Sequence, residues 1–227
     1  MYKYPVITID GPSGSGKGTI SKMLAERLGW HLLDSGALYR ILAFLYTQRL
    51  ESKDLSQLPL EESILERLAI NMQVEFIQNK VFVNNKEEDI SRFIRTEICG
   101  NLASKIAVYP KVRAALLVKQ REFLQSPGLV ADGRDMGTVV FPGAILKFFL
   151  EADVKIRGLR RYTQLKEMGV DVKLHSLIGE LSVRDLRDMQ RPIANLQVPQ
   201  DAILIDTAAM TINEVFAMVM EQVILII

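Results

Sequence analysis

Short apolar runs alternate with longer segments of helical periodicity along most of the chain. The runs lie at 6–9, 31–33, 129–131, 145–150 and 202–205. Their length and content are typical of buried strands. After the first run, Ile20, Leu24 and Leu28 recur at helical spacing, and Gly29 favours the end of that helix. Strands that alternate with helices predict an α/β fold, in which helices flank a five-stranded parallel sheet on both faces.

The segment from about residue 70 to 95 has a different pattern. Val74 and Phe76, and then Val81 and Val83, alternate with polar residues on either side of a polar stretch at 78–80. This alternation predicts an antiparallel hairpin with one solvated face. Two helical stretches follow and are separated at Pro110. We predict that this section is an inserted subdomain between the second and third core strands.

Composition indicates an ordinary globular protein with a local rather than a global charge pattern. The 227 residues are 48% hydrophobic and 24% charged, with a net charge of +1, so any anion must be bound locally. Cys99 is the sole cysteine, which excludes an intrachain disulfide and favours a reducing compartment. The apolar runs near both ends are too short for a signal sequence or a membrane span of ~20 residues. We therefore predict a cytoplasmic protein without a membrane segment.

A glycine-rich turn follows the first predicted strand. It consists of Gly11, Pro12, Ser13, Gly14, Ser15, Gly16, Lys17, Gly18 and Thr19. The G-x-x-x-x-G-K spacing directs backbone N–H groups and a lysine toward phosphate oxygens, whereas a simple flexible turn is the alternative. Gly18 stands where the strict pattern has a hydroxyl ligand for Mg²⁺. We therefore expect phosphates, water and a distant carboxylate to hold the metal.

Two further turns follow predicted strands at the edge where open α/β sheets bind ligands. Asp132 and Arg134 lie after the third core strand, where the carboxylate is a candidate outer ligand for Mg²⁺ and the guanidinium a candidate for phosphate. An acidic turn with a surface ion pair is the alternative. Ser35 and Arg40 lie after the second strand, and here the alternatives are a helix N-cap and a solvated helix residue.

Basic residues recur at helical spacing in the last third of the chain. One group has Arg157, Arg160 and Arg161 on one face, and a second has Arg184, Asp188 and Arg191 at i, i+4 and i+7. Solvated helix faces with weak ion pairs would give the same pattern. Beside a phosphate loop, the pattern also suits an arginine-rich cover that neutralises polyphosphate and excludes water.

Taken together, these motifs resemble the bacterial cytidylate kinases nearly from end to end. GPSGSGKGT, WHLLDSGALYR, the mid-chain insertion, VADGRDMGTVVFP and R-D-x-x-D-x-x-R at Arg184–Arg191 occur in the same order. A phosphate loop alone indicates only a very large superfamily. DGRDMGTVVFP together with the insertion is specific to this branch.

The resemblance implies transfer of the γ-phosphoryl group of ATP to CMP or dCMP, with Mg²⁺. The implied catalytic residues are Lys17, Asp132, Arg134 and Arg184, with Asp132 reaching the metal through water. ATP would bind residues 11–19, with Arg157 and Arg161 as lid or donor-site arginines. The residues implied for the acceptor are Ser35, Tyr39 and Arg40 (monophosphate), Arg134, Arg184 and Arg191 (phosphates), Asp188 (ribose), and Ser104, Arg113 and Asp135 (cytosine).

The resemblance also implies an organisation of the chain. The P-loop kinase core would occupy about 1–65 and 126–227, the NMP-binding insertion about 66–125, and a short lid about 155–172. The family leads us to expect a monomer.

Three other functions fit parts of the sequence. A kinase of another small acceptor, such as AMP, dTMP or shikimate, is disfavoured by the insertion and the DGRD turn. A GTP-dependent switch would be expected to carry a guanine-reading N-K-x-D motif, which the sequence lacks. Nucleic-acid binding is disfavoured by the near-zero net charge and the 7% aromatic content. The predicted partners are therefore the small molecules ATP and CMP or dCMP.

Overall fold

A computed structural model describes residues 2–50, 59–77, 80–84, 88–167, 169–191 and 193–227, without the side chains of Leu50 and Ile77. Positions 78 and 79 of the predicted hairpin turn lie outside the described residues. The chain forms two compact units. One comprises the residues up to Asp34 and those from Gln120 onward, and the other is Ser35–Lys119.

The strands of the described residues are β1 Val6–Asp10, β2 His31–Asp34, β3 Val74–Ile77, β4 Lys80–Val83, β5 Leu129–Gly133, β6 Leu146–Glu151 and β7 Ile203–Asp206. Five of them form a parallel sheet in the order β2-β5-β1-β6-β7. This sheet confirms the predicted α/β fold and places β1, the strand that leads into the glycine-rich turn, at its centre.

The helices of the described residues are α1 Lys17–Leu28, α2 Ser35–Leu50, α3 Glu62–Asn71, α4 Ser91–Ile94, α5 Glu97–Ile106, α6 Pro110–Glu122, α7 Val154–Glu167, α8 Leu174–Met189 and α9 Ile212–Ile224. A π-helical turn spans Met136–Val140. Gly29 ends α1 in the left-handed conformation, as its position predicts. None of the described helices combines the length and the apolar character that crossing a bilayer requires.

The hydrophobic core of the first unit lies between the sheet and helices α1 and α9. Ile7 and Ile9 of β1 and Phe148 of β6 are fully buried against Leu24 of α1 and Val219 of α9. Because β1 and β6 lie inside the sheet and are covered by helices, most of their residues are apolar. This packing fixes the start of α1 relative to the end of β1.

The carboxyl ends of the parallel strands meet at one edge of the sheet. Asp34 of β2 lies in register with Asp132 of β5, and Asp10 of β1 with Gly133. Segments that are distant in sequence therefore begin side by side at this edge, which is where open α/β sheets bind their ligands.

The second unit contains the predicted hairpin, the first of the two predicted helices and most of the second. Strands β3 and β4 are antiparallel, with Val74 opposite Val83 and Phe76 opposite Val81. Val81 and Val83 are buried, whereas Phe76 is 45% exposed. Pro110 is the first residue of α6, where its fixed φ and missing N–H are well tolerated.

Replacing Leu24 by alanine should lower the free energy of unfolding by about 3 kcal/mol, because the side chain is fully buried between α1 and the sheet. Lys22 on the same helix is exposed and forms a 3.8 Å pair with Glu26, so Lys22→Ala should change stability by less than about 0.5 kcal/mol. Urea denaturation of both variants measures the difference. Equal losses in the two variants would contradict the assigned packing.

Candidate active site

The glycine-rich turn connects β1 to α1 and presents the N-terminus of α1. A Cβ atom at Gly11 would collide with the carbonyl oxygen of Leu150, so the chain can pass this point only without a side chain. Gly16 is the N-cap of α1 and supplies no side-chain acceptor to the first turn. The N–H groups of that turn are therefore suited to an external anion.

Lys17, the first residue of α1, is buried beside this turn. Its Nζ donates to the carbonyl oxygen of Pro12 at 3.2 Å. Burial, assisted by the positive charges of Arg134 and Arg184, lowers the pKa of Lys17 to about 8, although Asp132 and Asp34 oppose the shift. The negative charge of a bound polyphosphate would offset both the desolvation of the Lys17 ammonium group and its repulsion from the two arginines.

Asp132 of β5 lies over the first turn of α1. A Cβ atom at Gly18 would come within 3.1 Å of Asp132 Oδ2, so the glycine leaves room for this carboxylate. Burial raises the pKa of Asp132 to about 6, whereas the charge of Lys17 acts in the opposite direction. The described residues contain no cluster of three or more side chains suited to a metal ion. A cation here would therefore depend on Asp132, water and bound phosphate, which is a coordination typical of Mg²⁺.

Two arginines share the carboxylate of Asp188. Arg134 Nε donates to Asp188 Oδ2 at 3.1 Å, and Arg191 Nη2 lies 2.8 Å from Asp188 Oδ1. Since α8 ends at Met189, Arg191 lies beyond the helix, and the predicted i, i+4, i+7 helical face is wrong at its last member. Arg184, Asp188 and Arg191 are 8%, 6% and 7% exposed. This burial excludes the alternative of a solvated helix face.

Arg157 connects three segments of the first unit. Its guanidinium donates to the carbonyl oxygens of Ala152 (2.8 Å) and Ser13 (2.9 Å) and to Asp185 Oδ2 (2.5 Å). Arg157 therefore connects the phosphate loop, at Ser13, to α8, at Asp185. Its predicted contact with ATP stays a prediction.

A cavity of about 540 Å³ opens beside the phosphate loop. It is lined by residues 14–20, by Arg160, Arg161 and Gln164 of α7, and by residues of the segment that follows β7. Arg160 donates to Thr207 Oγ1 at 3.0 Å and to the carbonyl oxygen of Thr207 at 2.5 Å. Thr207 Oγ1 lies 3.1 Å from the carbonyl oxygen of Ser15. Sequence analysis assigned no role to Thr207, because one threonine after a strand carries no motif.

Asp10, the last residue of β1, is a second residue that sequence analysis missed. Its Oδ1 and Oδ2 accept hydrogen bonds from the backbone N–H groups of Met136 (2.9 Å) and Gly137 (2.8 Å). Burial raises the pKa of Asp10 to about 7, although these two hydrogen bonds favour its charged form. The signal in the sequence is an acidic residue at the end of a mainly apolar strand.

The second unit contains the predicted acceptor-site residues Ser35, Tyr39, Arg40, Ser104 and Arg113. Arg113 lies over the ring of Tyr39, with 5.8 Å between its Cζ and the ring centroid, and Nη1 donates to the carbonyl oxygen of Ala107. Arg40 donates to the carbonyl oxygens of Ile94 (2.6 Å) and Thr96 (3.1 Å), where α4 meets α5. Ser35 begins α2, and Ser104 is a buried residue of α5.

Asp10 should give the protein a pH-dependent stability. Its pKa is about 7 in the folded chain against an ordinary 3.8, so between about pH 4 and 7 the folded state holds a proton that the unfolded state has released. Rising pH therefore destabilises the folded state at this residue. We expect the free energy of unfolding of the native chain, relative to Asp10→Asn, to fall across this interval. Urea denaturation at several pH values measures it, and a constant or rising difference would contradict the assignment.

Comparison with known proteins identifies the family. The model of the cytidylate kinase family matches residues 7–224. The chain is 52% identical over 218 residues to a cytidylate kinase of Aeromonas salmonicida, covering 95% of this chain and 92% of the relative. It is 51% identical over 222 residues to a cytidylate kinase of Azotobacter vinelandii, covering 96% and 94%. The resemblance seen in the motifs is thereby confirmed, and the chain belongs to the cytidylate kinase family of ATP-dependent nucleoside monophosphate kinases.

Proposed function

We propose that this chain transfers the γ-phosphoryl group of ATP to CMP or dCMP, giving ADP and CDP or dCDP. The observation that carries the proposal is the buried cationic cluster at the phosphate loop, where Arg134 and Arg184 act together with burial to lower the pKa of Lys17. Such a cluster suits a reaction in which negative charge from two phosphorylated ligands comes together.

The donor nucleotide occupies the phosphate loop and the adjoining cavity. Its β- and γ-phosphates accept from the N–H groups of the loop and from Lys17, as in other glycine-rich phosphate loops. The nucleoside extends into the cavity of about 540 Å³, between Arg161 on α7 and Met210 on the segment after β7. A cavity of this size is within the range of small-ligand sites.

The residues beside Gly18 fit a magnesium ion that is bound mainly by phosphate and water. Asp132 lies where a strict P-loop has its hydroxyl, and its carboxylate can accept hydrogen bonds from metal-bound water. Bound Mg²⁺ would neutralise charge on the transferring phosphoryl group and help to orient it. Lys17 supplies a second compensating charge.

The acceptor needs no general base. The second pKa of a phosphate monoester is about 6, so the attacking phosphate is already a dianion at neutral pH. Catalysis then depends on alignment and on charge neutralisation by Lys17, Arg134 and Arg184. In this proposal Arg191 and Arg40 bind acceptor phosphate, with Ser35 and Tyr39, and Asp188 binds ribose.

Asp135 provides the selection for cytosine, together with Ser104 and Arg113. Cytosine presents an N4 amino group that donates to a carboxylate, whereas uracil presents a carbonyl oxygen at the same position. Two facing acceptors would place a buried carboxylate oxygen against a carbonyl oxygen, which is unfavourable. Asp135 is 4% exposed, so water cannot readily compensate for such a mismatch.

We also propose the domain roles that the family implies. The core comprises about 1–65 and 126–227, the NMP-binding region about 66–125, and the lid about 155–172. Arg157 and Arg161 belong to that lid. The cytoplasmic location and the monomeric state stay predictions.

The activity is tested by measuring ADP release with ATP, Mg²⁺ and a panel of nucleoside monophosphates. CMP and dCMP should stimulate ADP release far more than AMP, UMP, GMP or dTMP. A Lys17→Met variant serves as the matched control, because it removes the charge at the loop while retaining a long apolar side chain. Stimulation by another acceptor, without stimulation by CMP or dCMP, would contradict the proposal.

Replacing Asp135 by alanine should lower the preference for CMP over UMP by about 10- to 100-fold, because one specific base contact is lost. The ratio of the two kcat/KM values measures the preference, and the KM for ATP should stay nearly constant. A variant that kept the full preference for CMP would remove the basis for this role.

A further inference from the structure

The side chain of Asp10 connects β1, the strand that leads into the phosphate loop, to the π-helical turn that follows Asp135. Its two carboxylate oxygens accept from consecutive backbone N–H groups, those of Met136 and Gly137, which are the first two residues of the π-helical turn. At the start of such a turn these N–H groups have no partner within the turn itself. Asp10 therefore acts as a cap supplied from 126 residues away in sequence.

The same turn also fixes the backbone of Asp135 from its other side. The N–H groups of Val139 (2.9 Å) and Val140 (3.2 Å) both donate to the carbonyl oxygen of Asp135. The backbone of Asp135 has φ −145° and ψ 23°, outside the helical and extended regions. The direction of the Asp135 side chain thus depends on whether the turn is held in place.

The turn has little room to move away from Asp10. A Cβ atom at Gly137 would lie 2.9 Å from Thr8 Oγ1 and 3.1 Å from Lys147 Cδ. The backbone at Gly137 is therefore packed against β1 and β6 while its N–H is bound by Asp10. These contacts restrict how far the backbone of Gly137 can move.

Burial of the Asp10 carboxylate is unfavourable for folding, since burial is the main reason that its pKa is raised to about 7. Asparagine has the same shape and no charge, but it offers only one acceptor oxygen. Its amide NH₂ would face one of the two backbone N–H groups, and two donors cannot bind each other. A carboxylate is therefore the side chain of this size that can hold both N–H groups.

We propose that Asp10 is a positioning residue for the acceptor nucleotide, which holds the Met136–Gly137 backbone and thereby directs Arg134 and Asp135. The inference rests on the proposed roles of Arg134 and Asp135. The backbone of Asp10 leads directly into Gly11 of the phosphate loop, and its side chain holds the π-helical turn at Met136 and Gly137. One residue therefore contacts both the ATP-binding loop and the turn that carries Asp135. A change confined to the side chain should therefore affect the acceptor and spare ATP.

The test compares Asp10→Asn with the native chain in steady-state kinetics for CMP, UMP and ATP. We expect the KM for CMP to rise by about tenfold or more and the CMP-to-UMP ratio of kcat/KM to fall by a similar factor, because a small misplacement of positioned groups is costly. The KM for ATP should change by less than about twofold. Asp206→Asn is the matched control, since Asp206 also ends a parallel strand and accepts a backbone N–H, that of Ala208, at 2.9 Å. It should leave the CMP-to-UMP ratio unchanged.

Gly137→Ala gives an independent arm, because it displaces the same turn by crowding Thr8 and leaves Asp10 intact. It should show the same rise in KM for CMP and the same loss of preference. If Asp10→Asn does not fold, Asp10→Ser, which keeps one acceptor oxygen, is judged by the same criteria.

An Asp10 variant that raises the KM for ATP as much as that for CMP, or that loses only thermal stability, would overturn the inference. Measuring Asp135→Ala in parallel separates this result from a failure of the proposed function. If Asp135→Ala loses its preference for CMP and Asp10→Asn keeps it, only the positioning role is wrong. If both variants keep the preference, the proposed role of Asp135 is wrong, and the positioning role of Asp10 falls with it.

Discussion

Burial takes Lys17 almost entirely out of water at the point where two arginines, Arg134 and Arg184, already make the surroundings positive. A cluster of this kind is unfavourable in the absence of an anion, and the fall in the pKa of Lys17 to about 8 is a direct expression of that cost. The first unit tolerates the cluster because its sheet is covered by α1 and α9, whose packing fixes the end of β1 and the start of α1. Phosphate binding therefore acts on a site that is already assembled.

Buried carboxylates determine where these cations lie. Asp188 holds Arg134 and Arg191, and Asp185 holds Arg157, which in turn binds the carbonyl oxygen of Ser13 in the phosphate loop. Asp10 likewise holds the backbone N–H groups of Met136 and Gly137 in place. Each carboxylate has a partner within the protein, so the charged groups are positioned before any ligand arrives, which is the arrangement that favours catalysis of phosphoryl transfer.

The departure from the strict P-loop pattern has a physical explanation in the sheet. Gly18 faces Asp132 of β5, and a larger residue at this position would crowd the carboxylate. A side chain at position 18 of α1 and the carboxylate on β5 would therefore crowd each other, and in this chain the space is left to the carboxylate. The choice is consistent with a kinase in which the metal arrives with its nucleotide and is held mainly by phosphate oxygens.

The sequence by itself determined the alternation of strands and helices along the chain, the phosphate loop and the family, because apolar periodicity and contiguous motifs are local properties of the chain. It also indicated the residues at the strand ends. Only the tertiary structure decided how those residues are used. Arg157 binds protein oxygens, and Arg191 lies beyond the end of α8. Asp10 and Thr207 form hydrogen bonds within the candidate site although neither belongs to a sequence motif. These contacts join residues as far as 192 positions apart, through a parallel sheet that brings distant strand ends together, and no local pattern records such pairings.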